Sequence, residues 1–379
     1  MATARIAEAP SDPLDGVSLP GWVYHDPGYF RLEMERLIRP AWQIVCHQSE
    51  IPAPGDWRTL DYLGESVIVI RGADLAVRAF ANVCRHRGSR LVDGEGGCAR
   101  RLTCPYHGWT YGPDGRLIGV PHKADYPGLV PDALGLIPVE LDDWRGFLFV
   151  RLAPGGPSVA EMMAPHEAEV APCRFEDLRA LGRITLRPRD VNWKNVADNY
   201  SDGLHINVAH PGLTRLFGAG YGIEAGQHVD RMWGDLLDRP STNPSERAYQ
   251  HFLPESAGRR WLYFKLWPNV AFDIYPDQVD FMHFVPVGPT ETLIREISYA
   301  VPDDRREMRA ARYLNWRINR RVNEEDSALI RRVQQGMASA LYTPGPLGES
   351  EVCLRSFAAK LRRLVPETRL PEPPADWRR

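Results

Sequence analysis

Cys84-Arg85-His86 and, seventeen residues further on, Cys104-Pro105-Tyr106-His107 decide how this chain is read, because each short loop offers one thiolate and one imidazole. A 2Fe-2S centre that takes two cysteines on one iron and two histidines on the other needs that divided donor set, and the neutral imidazoles raise its potential above that of all-cysteine clusters. Gly88, Gly94, Gly96, Gly97 and Gly108 permit the close backbone approach that bridging sulfides require. A structural zinc is the competing reading, since two Cys and two His also make a tetrahedral zinc site. Zinc modules usually pair Cys with Cys and His with His, whereas each loop here mixes them. The other cysteines (Cys46, Cys98, Cys173, Cys353) and isolated histidines such as His47, His122, His166 and His251 are expected to be ordinary core or surface residues.

Outward from the loops, residues 44–152 carry short apolar runs at 66–70, 76–81 and 146–152, separated by Gly, Asp and Pro, the pattern of an antiparallel all-β domain over 42–152. Upstream, Phe30, Met34, Leu37 and Ile38 have helical spacing, so residues 1–41 are expected to be a lead-in and a helix that packs with the C-terminal half. Downstream, APGGPS at 153–158 is a linker into a second domain over 153–379. There the pattern predicts a helix over 190–210, strands over 261–274, 278–287 and 292–301, and a long helix over 302–341. Strands followed by a long helix give an α+β class, with the helix laid on an antiparallel sheet.

The run NWKNVADNYSDGLHINVAHPG at 192–212 holds a second constellation. Asp202 and His205 are three apart and share a helix face. His210 lies five beyond His205, about 140° away, so a regular helix cannot aim both imidazoles at one point and must break before Pro211. Two histidines and a carboxylate make the facial triad of a mononuclear ferrous ion. Asp326 is the candidate carboxylate: it falls within about 25° of the centre of the apolar stripe Ile318, Val322, Leu329, Ile330, Val333 and Met337, whereas Glu324 falls outside it. A bare buried carboxylate is costly unless paired or metal-bound; a salt bridge to a buried arginine is the other way to satisfy it.

The bulk numbers exclude several classes. With 379 residues, a formal net charge of -3 and a pI near 6.4, the chain is long enough for two or three domains and has no electrostatic reason to bind nucleic acid or an anionic membrane. No run approaches a membrane span, and the acidic, small-residue N-terminus is not a secretory signal, so a cytoplasmic protein with reduced cysteines is expected.

At these residues the sequence closely resembles the catalytic α subunits of Rieske non-haem iron aromatic ring-hydroxylating oxygenases. NVCRHRGSRL (82–91) and CPYHGWTYGPDGRL (104–117) resemble the family's cluster loops, NWKNVADNYSDGLHINVAHPG its iron-binding segment, and EEDSALIRRVQQGM (324–337) the segment with the third ligand. The resemblance implies a helix-grip catalytic domain behind the β domain, a Rieske 2Fe-2S cluster on Cys84, His86, Cys104 and His107, and Fe(II) on His205, His210 and Asp326. It implies a homotrimer in which Asp202 carries electrons from one subunit's cluster to the next subunit's iron. The implied partners are an NAD(P)H-dependent reductase, O2 and a small-molecule substrate, with a ferredoxin and a β subunit left open.

The expected reaction is mono- or cis-dihydroxylation of a small aromatic substrate. Oxidative O- or N-demethylation, including of quaternary ammonium compounds, is the alternative. Family members acting on quaternary ammonium substrates tend to have Glu where this chain has Asp202, which favours the aromatic. From another class, a Rieske electron carrier would lack the mononuclear iron. Residues 213–221, Trp233, Phe264, Phe281 and His283 are candidates for the pocket, and Arg215 or Arg231 for a substrate carboxylate, although core and surface roles suit these residues equally well.

Overall fold

The computed structural model describes residues 12–254 and 257–378; the lead-in reading of residues 1–11 lies outside the described residues. Three small antiparallel sheets build the N-terminal half. Strands 43–47, 147–151 and 140–144 form one, strands 77–81, 65–71, 56–62 and 96–98 a second, and strands 102–103, 110–111 and 117–119 a third, each in that order. The strand 65–71 shows why this region reads as one apolar run: Val67 and Val69 face one core, and Ile68 and Ile70 face another that contains Cys84 and Cys104, as period-two side chains must.

The C-terminal half is an antiparallel sheet with helices on one face. We label its strands β1 (Arg179–Ala180), β2 (Thr185–Arg189), β3 (Tyr221–Glu224), β4 (Val229–Asp235), β5 (Arg260–Leu266), β6 (Val270–Ile274), β7 (Val279–Gly288) and β8 (Glu291–Ala300). Their order is β1-β8-β7-β6-β5-β4-β3, with β2 also paired to β8. One face of this sheet, through Phe264, Phe272, Phe281 and Tyr299, packs on Trp144, Phe147 and Phe149 of the N-terminal half. The other is spanned by the long helix, shorter than the expected 302–341.

The helices that bear on the site are labelled α1 (Pro27–Glu33), α2 (Trp193–Ser201), α3 (Ile206–Ala209), α4 (Pro211–Phe217), α5 (Pro244–Phe252), α6 (Arg306–Met337) and α7 (Val352–Leu364). α1 packs with the C-terminal half. Its Glu33 and Lys194 of α2 form a fully buried ion pair at 2.8 Å, and Trp22, Tyr29, Trp193 and Phe357 share one core. Burial pushes the Glu33 carboxyl up and the Lys194 ammonium down from their ordinary ranges, against the attraction of each for the other.

Two expectations need correction. Residues 261–274 are not one strand but the hairpin β5–β6, because Pro268 cannot donate to a ladder and the chain turns there. The segment 190–210 is not one helix either. α2 ends at Ser201, Asp202 takes an extended conformation (φ -88°, ψ 121°), and its Oδ1 accepts from the Leu204 amide at 2.8 Å. That local side-chain turn competes with helix propagation, so the chain restarts as α3 and again as α4 after His210.

Candidate metal centres and substrate cavity

The two cysteine loops are built alike. Cys84 N donates to Ser89 O and Cys104 N to Trp109 O, each at 2.8 Å, while Gly88 N and Gly108 N fold back to Cys84 O and Cys104 O, each at 3.0 Å. The turns place Gly88 and Gly108 at φ 75° and 72°, where a side chain would be strained. Both thiols are buried and lie near enough to hydrogen-bond each other; burial opposes ionisation of Cys104, but the Tyr106 and His107 amides hold its thiol below the ordinary range.

On the opposite side the His86 and His107 rings approach to 4.7 Å between centroids. His86 stacks on Trp109, and its Nδ1 is buried without a hydrogen-bond partner among the described residues. Desolvation, with His86 and Arg87 nearby, keeps His107 below its ordinary range, which favours the neutral ligand form. The donors therefore sort as a cysteine pair and a histidine pair. They are not among the donors that gather on one point as the ligands of a single zinc ion do, whereas a two-iron cluster would take one pair on each iron.

The second constellation does converge. His205 and His210 Nε2 are 3.1 Å apart, and Asp326 Oδ1 lies 3.0 Å from His210 Nε2 and 3.5 Å from His205 Nε2. Adjacent ligands on an ion about 2.1 Å from each donor would stand roughly 3 Å apart. Among the described residues this is the one such group of three or more donors. No arginine among the described residues pairs with Asp326; Asn199 of α2 donates to its Oδ1 at 3.0 Å. Although burial opposes charge on every member, the imidazoles hold Asp326 down at about 2, and Asp202 and Asp326 carry His205 up to about 9. So dense a set of mutually compensating charges is what a cation would replace.

Each imidazole is also held by its other nitrogen. His205 Nδ1 meets Asp202 Oδ2 at 3.2 Å, and His210 Nδ1 meets Glu325 Oε2 at 2.8 Å. Asp202 and His205 thus meet as expected, across the turn rather than on a helix face. Glu325 and Asn199 were missed in the sequence reading. The only signal for Glu325 is its place beside Asp326, about 100° round the helix, from where it reaches the far side of His210.

Beside the triad lies a cavity of about 110 Å³ between the sheet and α6. From the expected pocket residues, Leu213 and Tyr221 line it; Trp233, Phe264, Phe281 and His283 do not. Side chains alternate along a strand, and their neighbours Tyr263, Met282 and Phe284 face the cavity instead. Arg215 and Arg231 are both committed elsewhere, to Glu246 and Glu169.

The polar lining is unusual for an apolar substrate. Asp273 and Asp280 are direct cross-strand partners on β6 and β7, and Glu296 of β8 stands opposite Met282, two residues along from Asp280. Burial pushes Asp273 up to about 7, Asp280 well above its ordinary range and Glu296 upward. Tyr200, Tyr221, Tyr263 and Tyr275 surround them; Tyr200 and Tyr275 both donate to Asp273.

Comparison with known proteins follows the same two centres. Residues 41–134 match the Rieske [2Fe-2S] domain model, and residues 175–367 match the ring hydroxylating alpha subunit (catalytic domain) model. The chain belongs to the Rieske oxygenase alpha-subunit family. It is an oxidoreductase of that family, whose members carry a Rieske cluster and a mononuclear iron. It is 38% identical to the glycine betaine monooxygenase oxygenase subunit of Chromohalobacter salexigens, covering 87% of this chain and 81% of that one. With the carnitine monooxygenase oxygenase subunit of Escherichia coli (strain K12) the identity is 29%, over 88% and 87% of the two chains. A quaternary ammonium Rieske monooxygenase solved with L-carnitine superposes with a TM-score of 0.78 at 25% identity, over 93% of this chain and 97% of that one. Naphthalene 1,2-dioxygenase from Rhodococcus shares the fold at a TM-score of 0.76 and 20% identity, over 93% and 95%. Among the described residues no helix is long and apolar enough to cross a membrane.

Proposed function

We propose that this chain is the oxygenase component of a monooxygenase acting on a quaternary ammonium compound, hydroxylating carbon next to the charged nitrogen. The observation that carries this is the lining of the triad cavity: Asp273 and Asp280, without a salt-bridge partner among the described residues, stand among four tyrosines beside Glu296, which pairs with Arg187. Like charges opposite one another on neighbouring strands repel, and buried ionised carboxylates need a counter-charge. A bound organic cation supplies one, and tyrosine faces attract it further. A metal ion does not suit this acid group, because its oxygens do not gather within coordination range. An uncharged aromatic would leave Asp273 and Asp280 uncompensated, so the expected aromatic substrate gives way to the alternative, in keeping with the substrates named for the relatives above.

In this reading His205, His210 and Asp326 hold Fe(II), and Cys84, His86, Cys104 and His107 hold the cluster. When bound, the iron supplies oxygen activation and the cluster supplies electrons from a separate reductase. Glu325 and Asp202 fix the imidazole orientations through Nδ1, the usual role of carboxylates behind metal-bound histidines. Asp202, bonded to His205 Nδ1, would be the residue that links a neighbouring subunit's cluster to this iron within a homotrimer. Exposed apolar side chains beside both centres support that contact: Tyr106, 59% exposed, next to His107, and Leu204 and Val208, 52% and 86% exposed, next to His205.

The test is substrate-dependent oxygen uptake with a reductase supplied, using glycine betaine, carnitine and choline against an uncharged aromatic of similar size. Product formation coupled to uptake is expected with at least one of the cations. Coupled turnover of the aromatic alone overturns the proposal.

A further inference from the structure

The cavity has a second electrical pole that the cation does not use. Arg189, at the end of β2, lines it. Its Nε is buried with no hydrogen-bond partner among the described residues, and its Nη1 donates only to the neighbouring Pro188 carbonyl, at 3.1 Å. Every other arginine considered for this site is answered by a carboxylate. Arg187, two residues earlier on β2, takes Glu296 at 2.9 Å, so Glu296 does not leave Arg189 a free counter-ion. Arg187 and Arg331 both stand close enough to repel its charge, against attraction from Glu296. A guanidinium donor shut away from water without an acceptor is costly, and a planar fork of donors matches a carboxylate.

Arg189 lines the same cavity as His205, His210 and Asp326 and as the acid-and-tyrosine wall, so a small molecule held in that cavity meets both the acids and this guanidinium.

We infer that Arg189 binds a carboxylate on the substrate, so that the cavity selects a zwitterion, an ammonium bearing a carboxylate, over an ammonium bearing a hydroxyl. This rests on the cationic reading of the cavity and goes beyond it by naming the second functional group. Arg189 acts as a specificity residue; it does not touch the metal ligands.

Equilibrium binding to the intact holoprotein without reductase tests the inference, with glycine betaine and carnitine as carboxylated probes and choline as the hydroxyl probe. Wild type is expected to bind at least one carboxylated probe at least tenfold more tightly than choline. Arg189→Met should lose that preference by at least tenfold while leaving choline affinity within twofold, and Arg189→Lys should recover part of it. In turnover the loss should appear in KM rather than kcat. Choline bound as tightly as the carboxylated probes, or an equal loss for both classes in Arg189→Met, overturns the inference and leaves the cationic reading standing. Failure of all three cations to bind wild type overturns both.

Discussion

Replacing Asp273 with Asn should stabilise the protein at alkaline pH while weakening cation binding, and the pH dependence separates this from any ordinary substitution effect. Asp273 is buried, bonded to Tyr200 and Tyr275 and faced by Asp280 across the strand pair. Burial pushes its carboxyl up to about 7 from an ordinary 3.8. Because the folded pKa is the higher one, the unfolded chain gives up this proton first. The group costs nothing below pH 4, and its cost grows as pH rises towards 7 and is constant above. At about 1.4 kcal/mol per unit the ceiling is roughly 4 kcal/mol, of which about 3 kcal/mol develops between pH 5 and pH 8.

Asn cannot ionise, so Asp273→Asn should escape that loss. For a folding unit of about 200 residues, where 1 kcal/mol moves Tm by about 2–4 °C, the gap between variant and wild type should widen by roughly 6–12 °C from pH 5 to pH 8. Scanning calorimetry of both proteins at the two pH values reads it directly. A gap that stays constant, or that closes towards pH 8, refutes the claim that Asp273 carries a buried, uncompensated charge. A saturating quaternary ammonium ligand should raise Tm of the wild type more than that of the variant at pH 8, since only the carboxylate gains a counter-ion.

The two metal assignments separate in single variants. Cys84→Ser should abolish the visible absorption of the cluster and leave mononuclear iron in place by metal analysis. Asp326→Ala should do the reverse, with the cluster spectrum intact and the third iron lost. Asp202→Asn should retain both metals yet bring coupled turnover close to zero; normal turnover would remove Asp202 from the electron path. Lys194→Met leaves Glu33 buried and unpaired, which should cost about 3–5 kcal/mol and appear as a lowered Tm, whereas the double change to Met and Leu should recover most of it.

The proposed metal donors were legible because the cluster set and the histidine pair of the second set each sit in short motifs whose chemistry survives local errors. His205 and Asp202 still meet although the helix expected to align them breaks at Asp202, because an Asx turn brings the same two side chains together. Asp326 was found from 121 residues beyond His205 because its carboxylate interrupts an otherwise apolar stripe, and burial of charge is visible in a helical pattern. Glu325 and Asn199 carry no such anomaly, being polar residues beside other polar residues, and only their contacts reveal them.

What the sequence by itself determined is the identity of the two centres, since thiolates, imidazoles and carboxylates at fixed spacings have few other uses. What only the tertiary structure decided is the substrate wall. Its members come from α2, β2, β3, β5, β6, β7, β8 and α6, and which of two alternating rows of side chains faces the cavity depends on strand parity. One step along β7 exchanges Phe281 and His283 for Asp280 and Met282. That step turns an expected aromatic-lined pocket into one lined by buried carboxylates, which is the basis for proposing a cation in place of an arene.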